Sequence, residues 1–326
     1  MRRRTWLSGA AALVSTGAGG AWARPVGPRV LTLGHQFPAG SMPDRIAQRL
    51  AERLAQRSGG ALRVRVVGAA VLGDEREHLS LLRQGALDLT VAGDVVVGSL
   101  GDAYLVVNLP FLYRSVDHAL QTYASPVGLA LRQQLDAAGL RVLSWHYVGT
   151  RMLTANRPIA RPADLAGLRL RLPPDAAWTA VWRRLGAETV PIPFPDLADA
   201  LRLGKVDAQE NPPNFVRAGQ LHAHQSHLMP SNHMPQRQFV FASAARWAGW
   251  TAAQRELVAA CADEASAWGS ELARQEQERD ARWLAEPGRL TWVPWQADGL
   301  QPVLRDVARA LGGPQGLRLF DQIQAL

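Results

Sequence analysis

Residues 167–174 read GLRLRLPP, an alternation of leucine and arginine between a glycine and two prolines. Leu168, Leu170 and Leu172 fall on one side of a period-two ladder, so Arg169 and Arg171 share the other side. An antiparallel or edge strand with one wet face would account for two such arginines. A sharper role for them needs support from the rest of the chain.

On either side of this stretch, short β-rich runs alternate with amphipathic ones. Strands are expected at 30–34, 62–67, 87–92, 141–145, 167–172, 188–193, 238–242 and 290–293, with helices at 43–57, 74–84, 117–138, 175–186 and 196–204. That alternation predicts an α/β architecture with largely parallel strands. No period of 20–50 residues recurs, which argues against a solenoid or propeller. One helix stands apart. Thr251 to Gln254 fits a capping box, and the pattern then runs to Pro287-Gly288 with only Gly269 inside it. About 35 residues at 1.5 Å each give roughly 50 Å, enough to span two domains. Two shorter helices broken at Gly269 are the alternative.

Length and composition suit this picture. A chain of 326 residues, 47% hydrophobic and 20% charged, is a globular protein with room for two domains. The formal charge of +8 is carried by arginine, since Lys205 is the only lysine. These arginines form no block beyond Arg2–Arg4, which disfavours nucleic acid as a partner. Arg2–Arg4, the apolar run from Trp6 to about Ala18 and the small-residue site Ala21-Trp22-Ala23 together read as an export signal, cleaved after about Ala23. The order Arg3-Arg4-Thr5-Trp6-Leu7 fits the twin-arginine type, with Sec export as the alternative. The apolar run is shorter than the roughly 20 residues a membrane span needs. Cleavage takes three positive charges from +8 and leaves +5. Cys261 is the single cysteine, so no intramolecular disulfide is possible, and its helical surroundings mark a small core residue.

The usual chemical signatures are missing: there is no GxxxxGK[ST], HExxH, GxSxG or CxxC. His222, His224, His227 and His233 lie close in sequence, but their spacing is unlike the common zinc patterns and no carboxylate or cysteine completes a set. Neither a metal nor a cofactor is expected.

The middle third supplies the missing support. Gly149 to Arg151, Asn156 to Ile159, Asp164 to Pro173, Leu185 to Ala187, Phe194, and Ala200 to Pro212 follow one another in the order seen in a known family, preceded by Ser58-Gly59-Gly60, Leu72-Gly73 and Asn108 to Leu112. The chain resembles the solute-binding proteins of TRAP (tripartite ATP-independent periplasmic) transporters, of the C4-dicarboxylate-binding type. The resemblance implies a two-domain periplasmic binding protein fold, with a hinged cleft and a long domain-spanning helix. It implies capture of an organic acid for delivery to membrane permease subunits, with no reaction performed on it. The protein would lie in the periplasm and touch the membrane only through that partner. Domain I is expected at 24–148 with about 237–270, and domain II at 149–236 with about 271–326.

By position in the family pattern, Arg171 matches the arginine that grips the ligand carboxylate, while Arg169 is placed nearer the rim. A guanidinium presents a planar fork of donors that matches two carboxylate oxygens. Enclosing that charge is costly until an anion arrives, so closure is expected to follow the ligand. Arg151 matches a second pocket arginine, with a domain-boundary salt bridge as the alternative. Asn211 matches a pocket asparagine, the alternative being a helix cap before Pro212-Pro213. Phe194 matches an aromatic that packs on the ligand or in the core. His35, Gln36 and Asp94 follow predicted strands, where α/β sheets bind ligands. Trp145, His146, Trp178 and His233 are weaker candidates for shaping the pocket. Ala208 and Pro213 depart from the family pattern, which leaves the far end of the ligand open among dicarboxylates, 2-oxo acids, aromatic acids and sugar acids. A membrane sensor in place of the permease, or an exported enzyme, are the competing functions. Residues 298–324 are expected to form either a packed lid or a dimer contact.

Overall fold

The structure, a computed structural model, describes residues 28–326; the predicted export segment lies outside the described residues. The chain runs β1 (Arg29–Gly34), α1 (Met42–Arg57), β2 (Leu62–Val67), α2 (Glu75–Arg83), β3 (Leu89–Ala92), α3 (Val116–Ala124), α4 (Pro126–Ala137) and β4 (Leu140–Ala155). It continues with β5 (Arg169–Leu172), α5 (Ala176–Arg184), β6 (Glu188–Pro191), α6 (Leu197–Arg202), β7 (Ala208–Asn211), α7 (Pro213–Ala218), β8 (His227–Ser243), α8 (Ala244–Ala248), α9 (Ala252–Leu284), β9 (Thr291–Trp292) and α10 (Gln301–Gln324). Pro43 opens α1, and Met42, Ile46, Leu50 and Leu54 line its buried face at a spacing of four. Asp74 and Glu77 close a capping box at the start of α2, and Asp175 caps α5 through the N–H groups of Ala177 and Trp178.

The strands form one sheet in the order β2-β1-β3-β8-β4-β7-β5-β6, with β9 beside β8. β1 pairs in parallel with β2 and β3, and β5 does so with β6 and β7. The centre is different from the expectation of largely parallel strands, because β3–β8, β8–β4 and β4–β7 are antiparallel. β4 and β8 are also far longer than the expected 141–145 and 238–242. They pair along most of their length and carry the chain between two lobes, with register shifts at Val142/Ser144, Tyr147/Gly149 and Arg151/Leu153. Pro230, Pro235 and Gly149 obscured these strands in sequence; at an irregular ladder such residues are tolerated. The expected helix 117–138 is divided at Ser125, whose hydroxyl caps α4 ahead of Pro126.

The long helix is continuous. Thr251 and Gln254 form the expected capping box, and α9 passes through Gly269, where a Cβ would come within 2.4 Å of Ile46 Cδ1 of α1. Thirty-three residues make about 50 Å of helix. Arg45 of α1 reaches Glu276 at 2.8 Å and Arg217 of α7 reaches Asp280 at 2.8 Å, so the helix is bolted to both lobes. Gln277 bonds both the N–H and the C=O of Thr150 at the crossing of β4.

In the carboxy-terminal segment, Gly312 sits against Ala103 and Gly316 against Val106. His118 Nε2 bonds the Ile323 carbonyl at 2.8 Å, and Gln324 donates to the Leu112 carbonyl at 2.8 Å. α10 is a helical hairpin bent at Gly313 (φ 56°) ahead of Pro314, closed by an ion pair between Arg305 and Asp321. It packs on the 3-10 turn Asp102–Asn108 because small residues let the backbones approach there, and it also touches α5.

Candidate functional site

The carboxyl ends of β1, β3, β5 and β7 converge on a cleft between the lobes, the position where open α/β sheets hold ligands. The space is about 550 Å³ including its solvent mouth. Six of the seven predicted site residues line it: Gln36, Asp94, Arg151, Arg171, Phe194 and Asn211. His35 does not. Successive residues of an extended chain point to opposite faces, so Gln36 takes the cleft while His35 turns inward to Asp44 at 3.2 Å, with its ring under Gly68.

Arg171 is the third residue of β5, just ahead of Leu172. It is 1% exposed, and its Nε donates to the Ile192 carbonyl at 2.8 Å. Its Nη2 has no hydrogen-bond partner, and among the described residues no carboxylate forms an ion pair with it. Burial pushes its pKa down to about 9, with Glu210 and Asp196 opposing that fall. The group remains charged at neutral pH, so the cleft holds a cation lacking an internal counter-ion.

Arg151, on β4, is satisfied where Arg171 is not. It forms an ion pair with Glu210, donates to Gln236 Oε1, and gives Asn211 Oδ1 a bond of 3.1 Å from Nη2. Trp178 stacks 4.5 Å from the guanidinium. Burial alone would raise the Glu210 carboxyl, but Arg151 and the hydrogen bond from His233 hold it below the usual range. Burial lowers the His233 pKa; its neutral ring donates from Nε2 to Glu210 and accepts from Ser231 at Nδ1. Arg151 thus pairs with a carboxylate of the neighbouring strand β7, and the same residue also lines the cleft. Asn211 is no helix cap: Pro212 stands at that position of α7, and the Asn211 amide donates to Gln209 Oε1 at 2.6 Å.

The first-lobe wall is acidic. Asp94, 1% exposed, pairs with Arg237 and accepts from Gln236 Nε2 at 3.0 Å. Burial raises its pKa against the pull of Arg237. Glu75 lies beside it, 6% exposed, with Gln36 Nε2 at 3.2 Å from Oε2. Phe194 packs with Phe37 and Phe215, ring centres 5.6 and 5.9 Å away, as an apolar floor. Trp178 belongs to the lining, whereas Trp145 packs on Tyr123 and His146 is buried against Ser266. His233 stands behind Glu210. Among the described residues no three His, Cys, Asp or Glu side chains gather as a metal-holding group.

Sequence reasoning missed Glu75, Gln236, Gln238 and Arg237. The last three sit at the lobe crossing of β8, in a stretch read as a connection and the start of a strand. Glu75 resembled any acidic residue at a helix start.

The family model of the bacterial extracellular solute-binding proteins, family 7 (DctP), matches residues 33–303. A solute-binding protein of Roseobacter denitrificans is 26% identical over 311 residues, 95% of each chain. Its crystal structure, with bound L-galactonate, superimposes with a TM-score of 0.84 at 24% identity, covering 90% of this chain and 98% of that one. An uncharacterized protein, y4mM, of Sinorhizobium fredii is 32% identical over 233 residues, 71% of this chain; that match spans 43% of the longer relative. No helix among the described residues is long and apolar enough to cross a membrane. The family match runs through both lobes and the cleft between them, and the chain belongs to the bacterial extracellular solute-binding proteins of family 7, the TRAP solute-binding proteins.

Proposed function

We propose that this protein is the periplasmic capture component of a TRAP transporter, closing on an organic acid and delivering it to membrane permease subunits without reacting on it. The observation that carries the reading is Arg171: a fully buried guanidinium in the cleft with an unpartnered Nη2 and no carboxylate of its own. A ligand carboxylate supplies the missing charge and two matching acceptors. Arg151 contributes mainly by holding Asn211 and Trp178 in place, since its own charge is met by Glu210. Phe194 packs on the ligand's apolar edge, and Gln36 with Gln238 faces its polar remainder. Asp94 orients Gln236, while His35 stays outside the site.

One unpaired cation and a polar opposite wall favour an acid with a single carboxylate and a hydroxylated remainder. The L-galactonate held by the Roseobacter relative supports that class. Membership of a solute-binding family supports capture without chemistry and a periplasmic location; cleavage after about Ala23 is the proposed route to it. The lobe boundary near 148/149 is supported by the ladder shift at Tyr147/Gly149 and by Gly149, whose φ of 128° suits glycine alone. The division then becomes 28–148 with 237–270 against 149–236 with the remainder of α9, and α10 returns to the first lobe.

A thermal-shift screen of residues 24–326 against organic acids tests this. A ligand at a hundred times its dissociation constant adds about 2.7 kcal/mol of stability. L-Galactonate or a related acid is expected to raise Tm in the wild type and not in Arg171→Ala. A panel without a hit, or a shift that persists in the variant, refutes the reading.

A further inference from the structure

Trp178 carries the second buried donor of the cleft that the protein leaves unused, after Arg171. Its side chain is 2% exposed, and its indole Nε1 has no hydrogen-bond partner. A buried indole N–H ordinarily finds an acceptor, because an unmade bond costs the hydration that burial removed. Three other described tryptophans share this state, and their places in the fold set them apart from Trp178. Trp182, one turn later on α5, is enclosed between Phe111 and His233; Trp250 lies against Trp247 and Arg29; Trp295 packs on the core. None of these three lines the cleft, and Trp178 does.

The indole is held in place from several sides. Asp175 caps α5 through the N–H groups of Ala177 and Trp178 at 2.8 and 3.1 Å, and Asn108 fixes the other Asp175 oxygen at 2.8 Å. The Arg151 guanidinium lies over the indole ring, 4.5 Å from its centre. Arg151 also stands near enough to Arg171 for its charge to be felt there. Both unused donors therefore neighbour the same side chain. An oxygen that meets Trp178 while a carboxylate sits on Arg171 belongs close to that carboxylate.

We propose that Trp178 makes the cleft selective for acids oxygenated at the carbon next to the carboxylate, its Nε1 donating to that hydroxyl or oxo oxygen. The proposal deepens the carboxylate-capture reading and rests on it. An indole N–H donates at every working pH and never accepts, so a ligand oxygen with a free lone pair is what answers it. An acid with only hydrogen at that carbon leaves the donor buried and unpaired. A site built around a hydrogen bond rejects such an analogue far more firmly than an apolar pocket would. Arg171 selects the carboxylate, and Trp178 selects what is attached beside it.

Calorimetric titration with pairs of acids that differ only at this carbon tests the proposal: L-galactonate and 2-deoxy-L-galactonate, lactate and propionate, glycerate and 3-hydroxypropionate, with any further hit set beside its own 2-deoxy analogue. In every pair that binds, the wild type should favour the oxygenated member by about 10-fold to 100-fold. Trp178→Phe keeps an aromatic ring beside Arg151 and lacks the donor. It should bind the 2-deoxy member as the wild type does and bring the two members within about threefold of each other. In a nitrogen–proton correlation spectrum, the indole resonance missing from Trp178→Phe should move farther with the oxygenated acid than with its partner. Equal wild-type affinities within a pair, discrimination that survives in Trp178→Phe, equal loss of both members, or an indole resonance that responds alike to both overturns the role of Trp178. So does a hit confined to acids bare at that carbon. Failure of every acid in the panel to bind the wild type overturns the capture reading beneath it, a result separate from equal affinities.

Discussion

The wall of the cleft built from β4, β5 and β7 presents Arg151, Arg171 and Asn211, whereas the wall at the ends of β1 and β3 and the start of α2 presents Gln36, Asp94 and Glu75. Each wall contains one titratable side chain that the protein pairs with an opposite charge and one that it leaves unpaired. Arg151 has Glu210 and Asp94 has Arg237; Arg171 and Glu75 have no ion-pair partner among the described residues. Internally answered pairs fix the shape of the site, since removing either member strands a buried charge. The two unanswered groups cost stability in the unliganded protein, and that cost is recovered only when something from outside fits between them.

The largest effect is expected on removing the unanswered cation. Arg171→Ala is expected to weaken binding of the hit acid by roughly 10² to 10⁴-fold, because truncating one partner of a buried charge pair costs about 2–5 kcal/mol or more. Arg171→Met should do the same while raising the midpoint of unliganded unfolding, as it removes an unpartnered buried donor. Loss of binding together with a lower midpoint would mean that Arg171 is a structural residue. Arg151→Met is the converse. It leaves Glu210 buried beside a neutral His233, and breaking such a pair costs about 3–5 kcal/mol. Denaturant titration should show that loss with no ligand present, and an unchanged midpoint would abolish the distinction between the two arginines.

How much of this could be read beforehand follows the same division. Arg171 was legible because a period-two strand and an ordered set of motifs fix its position locally. So were the long helix with its capping box and most of the shorter elements, whose signals lie within a few residues. β4 and β8 were seen only in part, because Gly149, Pro230 and Pro235 interrupt the pattern at the crossing between lobes, where tertiary pairing overrides local preference. His35 was misplaced by a single residue's alternation. The bond between Glu210 and Arg151 joins residues 59 apart, and nothing in either neighbourhood announces it. Glu75 was invisible for a related reason: a helix start explains an acidic residue completely until burial is known.

Stability offers a second view of Glu75, independent of any ligand. Its folded pKa of about 8 lies above its ordinary value of 4.5. The folded chain therefore holds the proton more tightly than the unfolded one, and stability falls as pH rises from about 4.5 to about 8, then levels. Each pH unit between the two values is worth about 1.4 kcal/mol, so Glu75→Gln should gain roughly 2–4 kcal/mol at pH 8, allowing for relaxation around the charge. At pH 4 the two proteins should unfold at the same denaturant concentration. A gain that is equal at both values of pH would point to packing rather than ionisation.

The smallest effect is expected at the arginine that opened the problem alongside Arg171. Arg169 lies two residues earlier on β5, and its Nε bonds Asp207 Oδ2 at 2.8 Å. That carboxylate is held below its ordinary pKa by the same contact. Both side chains are open to solvent, 43% and 33% exposed, where water screens the pair and replaces either partner at little cost. Arg169→Ala should leave the dissociation constant of the hit acid within about twofold, and its small effect on Tm should vanish at high salt. A large loss of affinity in this variant would move the carboxylate grip from the inner arginine to the rim, and would reverse the assignment made for the two guanidinium groups of β5.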